Sequence, residues 1–225
     1  MRLNLSLLGL EKTAMWARKR IDISNWELVK AIGSCLWPNC LESSINRVVD
    51  EFWESDILVT LSVRSGFDLL LKSAIELNDW PAESEIVFSG MTIADMPKIA
   101  VEHGLTVIGT DLNPKTMAPD PDHVASKITA KTKAIVVAHL MGGRSELDEI
   151  AEIAREHDLI LIVDCAQSFT GQTDDISEFA DVSMFSFGSI KTNTALGGAV
   201  LKVNDPGLIG SVSYTHLTLP TILLV

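Results

Sequence analysis

Leu159-Ile160-Leu161-Ile162-Val163-Asp164 is an uninterrupted apolar run that ends on a carboxylate. Runs of leucine and β-branched residues without polar alternation are typical of strands that are buried on both faces, as in a parallel sheet. Runs of the same kind occur before and after it, at residues 57–60, 86–88, 105–108, 134–138 and 182–185. We therefore expect a central, mostly parallel sheet.

Amphipathic segments that we predict to be helices separate these strands. They include residues 66–77 and residues 95–103, and Gly104 would cap the second of them. Ser145-Glu146-Leu147-Asp148 has the pattern of a capping box at the start of a further helix. The apolar face of that helix would be formed by Leu147, Ile150, Ala151 and Ala154. Strands that alternate with helices predict a doubly wound α/β domain, which we place at residues 54–210.

Residues 1–53 differ from this pattern. They hold four of the five tryptophans, in mixed helical segments that Pro38 interrupts. We predict an N-terminal helical arm that packs on the sheet domain or on a partner subunit.

The composition restricts the class of protein. The chain has 225 residues, of which 47% are hydrophobic and 21% charged, and these globular values exclude a disordered chain. A formal net charge of −12 argues against nucleic-acid binding, because a phosphate backbone is bound by a basic face. No apolar run is long enough for a membrane helix, the three cysteines show no metal spacing, and a signal-cleavage site is lacking. We expect a cytoplasmic protein that binds no metal, nucleic acid or membrane.

Ligands of open parallel sheets bind beyond the carboxyl ends of the strands, so the residues that follow each run are candidates for a site. Asp164 follows one strand, and Ser186 ends another, with Lys191 shortly after it. Ser65-Gly66, directly before a predicted helix, would offer backbone N–H groups to a phosphate. A lysine that forms a Schiff base and a carboxylate that keeps a ring nitrogen protonated suit pyridoxal phosphate.

Each of these residues also has an ordinary explanation. A strand-end aspartate is commonly a turn or cap residue, and a Ser-Gly pair before a helix is commonly only a cap. A lysine in a loop is usually solvated. Their predicted position at one edge of one sheet favours the cofactor site while leaving these roles open.

Three stretches of the sequence resemble the DegT/DnrJ family of sugar-nucleotide aminotransferases, which are fold-type-I pyridoxal-phosphate enzymes. They are residues 132–142 (TKAIVVAHLMG), 163–168 (VDCAQS) and 185–191 (FSFGSIK), with GGA following at 197–199. The resemblance extends from about Leu58 to Asn204. It implies a three-layer α/β/α fold with a mostly parallel sheet, the large domain of aspartate aminotransferase-like PLP-dependent transferases.

The resemblance also implies a role for each candidate residue. Lys191 would form the internal aldimine and shuttle the proton, Asp164 would pair with the pyridine nitrogen, and Gln167 would lie near the phenolic oxygen. Ser186 would bind the phosphate, together with the backbone at Ser65-Gly66. The implied reaction of this homodimer, with pyridoxal 5′-phosphate as cofactor, transfers an amino group from an amino-acid donor, usually glutamate, to a keto group of a nucleotide-linked sugar.

Four positions depart from the family pattern. Phe67 replaces the threonine of Ser-Gly-Thr, and Ile93 replaces an aromatic residue that stacks on the cofactor. Gly188-Ser189 replaces a His-Pro pair, and Ala195-Leu196 replaces an acidic residue. Two alternatives therefore stay open: a fold-type-I enzyme with a non-sugar substrate, and a degenerate PLP-binding regulatory protein. Lys191 argues against the family's dehydratases, in which histidine replaces this lysine.

The end of the chain also departs from the family, whose members continue for over a hundred residues beyond the lysine into a smaller domain. Here the resemblance stops near Gly210. Residues 212–221 (VSYTHLTLPT) resemble a translated sequencing adapter, so we expect residues 211–225 not to belong to the protein. The alternative is a genuine apolar β-tail. We expect the 225-residue chain itself to be inactive.

Overall fold

The computed structural model describes residues 23–36, 57–169, 179–191 and 194–218. Within these ranges the strands are β1 (Ile57–Thr60), β2 (Glu85–Ser89), β3 (Thr106–Thr110), β4 (Thr132–Ala138), β5 (Ile160–Asp164), β6 (Val182–Ser186) and β7 (Ala199–Val203). The helices are α1 (Asn25–Cys35), α2 (Val63–Leu77), α3 (Asp95–Glu102), α4 (Pro121–Lys127), α5 (Asp148–Glu156) and α6 (Pro206–Thr218).

All seven strands form one mixed sheet in the order β1-β7-β6-β5-β4-β2-β3. The pairs from β6 to β3 are parallel, whereas β7 is antiparallel to both of its neighbours, β6 and β1. The expected mostly parallel sheet is thus confirmed, and each of the six apolar runs overlaps a strand. Strand β7 was not predicted from the sequence, because Lys202 interrupts its short apolar segment.

The apolar runs are explained by two cores, one on each face of the sheet. Along β4, Ala134 and Val136 enter the first core, and Ile135 and Val137 enter the second. The first core also receives side chains from α2, α3 and α6, and the second from α4 and α5. Each fully buried aliphatic side chain contributes about 1.5–3 kcal/mol. This arrangement confirms the three-layer α/β/α architecture.

Two predicted helix starts were wrong. Helix α2 begins at Val63, not at Gly66, because the Ser62 hydroxyl caps it and accepts a hydrogen bond from the Ser65 N–H at 3.1 Å. Helix α5 begins at Asp148 and has no side-chain cap, so Ser145 does not form the expected capping box. Helix α3 ends as predicted, before Gly104 at a φ of 78°.

The ends of the chain are described only in part. Helix α1 supports a helical N-terminal segment, and its Trp26 is exposed, whereas Trp16, Trp37 and Trp53 lie outside the described residues. At the other end, α6 continues to Thr218 and buries Val212 in the first core, so this part of the tail is helical rather than β. No helix in the described ranges is long and apolar enough to cross a membrane.

Candidate active site

The strand register brings the candidate residues to one edge of the sheet. Asp164 ends β5 and pairs with Ala138 at the end of β4. Ser186 ends β6 and pairs with Ala199 at the start of β7, which in turn pairs with Thr60 at the end of β1. Because β1 and β2 to β6 all run in the same direction, their carboxyl ends and the start of β7 form one edge, the carboxyl edge.

Asp164 carries a buried carboxyl group, and the whole residue is only 6% exposed. Its Oδ1 accepts a hydrogen bond from the Ala166 N–H at 2.9 Å. Burial raises the pKa of Asp164, and this hydrogen bond and the positive charge of Lys191 lower it in part. A cationic ligand group beside Asp164 would favour the charged carboxylate further.

Ser186 and Lys191 lie around the turn that follows β6. The Lys191 N–H donates a hydrogen bond to the Gly188 carbonyl at 2.9 Å. A Cβ atom at Gly188 would lie 3.8 Å from Ser186 Oγ and 4.0 Å from Lys191 Cγ, so both side chains adjoin the same small space. The structure thus brings Asp164, Ser186 and Lys191 into one region.

Gln167 extends this region toward the loop after β4. Its Oε1 accepts a hydrogen bond from the Met141 N–H at 3.0 Å. The bond occupies the amide oxygen and leaves the side-chain NH2 group as the donor for a ligand oxygen.

Ser65 and Gly66 lie in the first turn of α2, close to the start of β7. The Ser65 N–H donates to Ser62 Oγ at 3.1 Å, and the Gly66 N–H donates to the Ser62 carbonyl at 3.0 Å. The expected free N–H groups are therefore absent at these two residues, because the helix begins earlier than predicted. The exposed Ser65 hydroxyl and the positive end of the α2 dipole remain as candidate phosphate contacts.

Gly66 has a further, structural role. A Cβ atom at this position would lie 2.3 Å from Leu201 Cδ1 and 3.0 Å from Thr60 Oγ1. The glycine therefore allows α2 to approach the sheet closely.

The departures from the family pattern have different structural settings. Phe67 is fully buried and packs edge-to-face on Phe88, with ring centroids 6.3 Å apart, so its ring belongs to the core. Ile93 is exposed in the loop after β2. In the same loop, the buried Oγ1 of Thr92 has no hydrogen-bond partner among the residues that the structure describes. Arg64 pairs with Asp95 at 2.9 Å, and both side chains are about half exposed.

The sequence analysis assigned no role to His139, the first residue after β4. Its N–H donates to the Asp164 carbonyl at 3.0 Å, and its Nδ1 accepts a hydrogen bond from the Ser145 N–H at 3.1 Å. Burial, with a smaller effect of Arg144, lowers the pKa of His139 to about 4, so the ring is neutral at pH 7. The rule that selects polar residues directly after apolar runs could have found it.

Two other kinds of chemistry find no support in this region. Burial raises the pKa of the Cys165 thiol, and the charge of Asp164 raises it further, so the thiolate nucleophile is disfavoured. Across the described part of the chain, no group of three or more His, Cys, Asp or Glu residues could hold a metal ion.

Six large apolar side chains are exposed in the loops at the carboxyl edge. We call them the apolar rim: Leu61, Met91, Ile93, Met141, Ile190 and Leu196. They follow β1, β2, β4 and β6 or precede β7, so they surround the candidate site.

Comparisons with known proteins agree on one family. The sequence profile of the DegT/DnrJ/EryC1/StrS aminotransferase family matches residues 46–216. L-glutamine:2-deoxy-scyllo-inosose aminotransferase of Streptomyces kanamyceticus is 32% identical over 170 residues, which cover 75% of this chain and 40% of that protein. GDP-perosamine synthase of Escherichia coli O157:H7 is 29% identical over 183 residues, which cover 79% and 50%. The chain thus spans about half or less of the length of these relatives.

A solved structure has the same fold. The crystal structure of NtdA from Bacillus subtilis, with its cofactor PMP bound, aligns with a TM-score of 0.72 and 21% identity. The alignment covers 90% of this chain and 48% of that one.

Proposed function

The chain belongs to the DegT/DnrJ/EryC1/StrS aminotransferase family, and we propose that it transfers an amino group from glutamate to a keto group of a nucleotide-linked sugar. The family acts on sugars and depends on pyridoxal 5′-phosphate. The proposal rests above all on one observation: the buried Asp164 carboxyl at the end of β5 and Lys191, in the turn after β6, lie at the same carboxyl edge of the sheet. These are the two groups that this cofactor requires.

The residues of this edge fit the cofactor. Burial raises the pKa of Asp164 although the positive charge of Lys191 lowers it in part, and a protonated ring nitrogen would favour the carboxylate further. The buried Oγ1 of Thr92, which has no hydrogen-bond partner in the described part of the chain, is likewise a polar group that a ligand could satisfy. Lys191 would hold the cofactor covalently, Gln167 would donate to its phenolic oxygen, and Ser186 with Ser65 would bind its phosphate.

When bound, the cofactor supplies an electron sink for breaking the Cα–H bond of the amino donor. Lys191 Nζ takes that proton and returns it to the carbon that accepts it, and so acts as general acid and base. Asp164, held as a carboxylate, keeps the ring nitrogen protonated. Its hydrogen bond from the Ala166 N–H fixes the orientation of the carboxylate.

The names of the relatives support a ketone of a sugar or cyclitol as substrate and leave the donor open. GDP-perosamine synthase has a nucleotide-linked product by its name, whereas the Streptomyces relative is named for glutamine and an inosose. We propose a nucleotide-linked sugar, glutamate as donor, and a cytoplasmic homodimer that meets along the apolar rim. Assays with glutamate and glutamine, each paired with a nucleotide-linked and a free keto-sugar, distinguish these substrates.

Trapping of the cofactor tests the proposal directly. The chain is incubated with pyridoxal phosphate, reduced with borohydride and digested, and the labelled peptide is identified by mass spectrometry. We expect label on Lys191, loss of the visible absorption band in Lys191→Ala, and no change in Lys98→Ala, an exposed lysine on α3. Label on another lysine would refute the assignment.

A further inference from the structure

His139 makes two backbone contacts that join separate parts of the candidate site. It directly follows β4, is 3% exposed, and donates its N–H to the carbonyl of Asp164 at 3.0 Å. Its ring Nδ1 accepts a hydrogen bond from the Ser145 N–H at 3.1 Å, six residues farther along the chain. The ring therefore holds the two ends of the loop 139–145 together.

This loop carries the contact that orients Gln167. The Met141 N–H donates to Gln167 Oε1 at 3.0 Å, and the Gly143 N–H donates to the Leu140 carbonyl at 2.8 Å. Met141 has a φ of 56°, a left-handed conformation that is unfavourable for a residue with a side chain and that the surrounding contacts must maintain. The loop's shape, and with it the direction of the Met141 N–H, thus depends on how its ends are held.

We propose that His139 is a positioning residue for the cofactor site, acting through the loop 139–145 to orient the Gln167 amide and through its own backbone to hold Asp164. The ring serves as a hydrogen-bond acceptor at Nδ1, so the neutral form with the proton on Nε2 is the active one. This inference rests on the proposed function, because Gln167 would donate its NH2 group to the phenolic oxygen of the cofactor.

A test needs variants that remove the Nδ1 bond in different ways. His139→Leu removes the acceptor, and Ser145→Pro removes the donor from the loop side. His139→Asn keeps an acceptor near the position of Nδ1. His123→Leu is the matched control. His123 Nδ1 also accepts a hydrogen bond from a loop N–H, in this case from Asp111 after β3, at 2.8 Å.

The readout is the pH titration of the visible absorption band of the lysine-bound cofactor, which needs no turnover. A hydrogen-bond donor to the phenolic oxygen stabilises the anionic form of that oxygen. If Gln167 is misplaced, this stabilisation is lost and the pH midpoint of the titration rises. We expect His139→Leu and Ser145→Pro to raise it by about 0.5–1 pH unit, as Gln167→Leu does, with no further rise in the double variant His139→Leu/Gln167→Leu. His139→Asn and His123→Leu should titrate like the wild type.

The outcomes separate this inference from the proposed function. If wild-type protein gives no visible band with pyridoxal phosphate, the proposed function fails. If the band forms but His139→Leu and Ser145→Pro titrate like the wild type, the positioning role alone is refuted. The same holds if the shifts of the midpoint caused by His139→Leu and Gln167→Leu are additive in the double variant. If His139→Leu does not fold, the soluble Ser145→Pro variant decides the question by the same criteria.

Discussion

Asp164 shows how a single residue can oppose folding and serve the proposed reaction. Its pKa is raised by burial, which means that the cofactor-free fold disfavours the charged form of this carboxyl group relative to the unfolded chain. A carboxyl group with a pKa above its unfolded value of about 3.9 stabilises the fold only at low pH. The contribution of this group to the free energy of unfolding falls as the pH rises from the unfolded pKa through the folded pKa. Above the folded pKa it no longer changes with pH.

Asp164→Asn is therefore expected to stabilise the cofactor-free chain at pH 7, because the uncharged amide can still accept the Ala166 N–H. Thermal denaturation from pH 4.5 to 8 should show a gap to the wild type that narrows as the pH falls. In a full-length form of the protein that is loaded with cofactor, the same substitution should lower the rate of amino transfer about 10²-fold or more, since the charge that keeps the ring nitrogen protonated is lost.

Asp181→Asn is the matched control for that variant. Burial also raises the pKa of Asp181, whose Oδ2 accepts the Leu161 N–H at 2.7 Å at the opposite end of β5. This variant should leave cofactor binding unchanged. A destabilised Asp164→Asn chain at neutral pH would show that burial of the charge is not the dominant effect.

The position of the candidate residues at the carboxyl edge was easier to predict from the sequence than the contacts that surround them. Asp164, Ser186 and Lys191 follow apolar runs, and the position after a strand is readable from the order of residues alone. The same rule also selects His139, the first residue after β4, but the contact of its ring with Ser145 has no sequence pattern. The Ser65-Gly66 pair resembled a phosphate cradle, although Gly66 is equally explained by its approach to Leu201.

At the scale of the elements, the apolar runs predicted strands reliably because most of the apolar strand side chains pack into one of the two cores. Helix starts were less predictable, because two serines in similar sequence positions, Ser62 and Ser145, both precede a helical segment but behave differently. Ser62 caps α2, whereas the N–H of Ser145 bonds to His139 and leaves that residue in a loop. Such competition between local and long-range hydrogen bonds cannot be derived from local sequence.

Gly66→Ala tests the contact between α2 and β7. The added Cβ would lie 2.3 Å from Leu201 Cδ1 inside the first core, so helix or side chain must shift. We expect a loss of about 1–3 kcal/mol in the free energy of unfolding, measured with urea. Gly109→Ala, where nothing lies within 4 Å of the new Cβ, should change it by less than about 1 kcal/mol.

The double variant Gly66→Ala/Leu201→Val identifies the cause of that loss. Shortening the side chain at 201 removes the closest atom, so the two changes together should cost less than their sum. Equal stability of Gly66→Ala and the wild type would mean that α2 can move away from the sheet freely.

At the scale of the whole molecule, the apolar rim is the surface along which we propose that two copies of the chain meet. Ile190 is 80% exposed and Leu61 71% exposed, and both lie in loops at the carboxyl edge. Contiguous exposed apolar surface of more than a few hundred Å² marks an interaction site in most soluble proteins. A second copy of the chain is the partner that we propose, and its contact with the loop that carries Lys191 would couple association to the candidate site.

Leu61→Glu and Ile190→Glu are therefore expected to weaken self-association, because each would bury an unpaired carboxylate against the partner. We expect each to raise the dimer dissociation constant at least about tenfold, corresponding to 1.4 kcal/mol, in sedimentation velocity over a range of concentrations. Val101→Glu introduces the same charge at a side chain that is 59% exposed on α3, away from the rim, and should associate like the wild type. A wild-type chain that stays monomeric at every concentration, or an equal effect of Val101→Glu, would remove the apolar rim as the dimer contact.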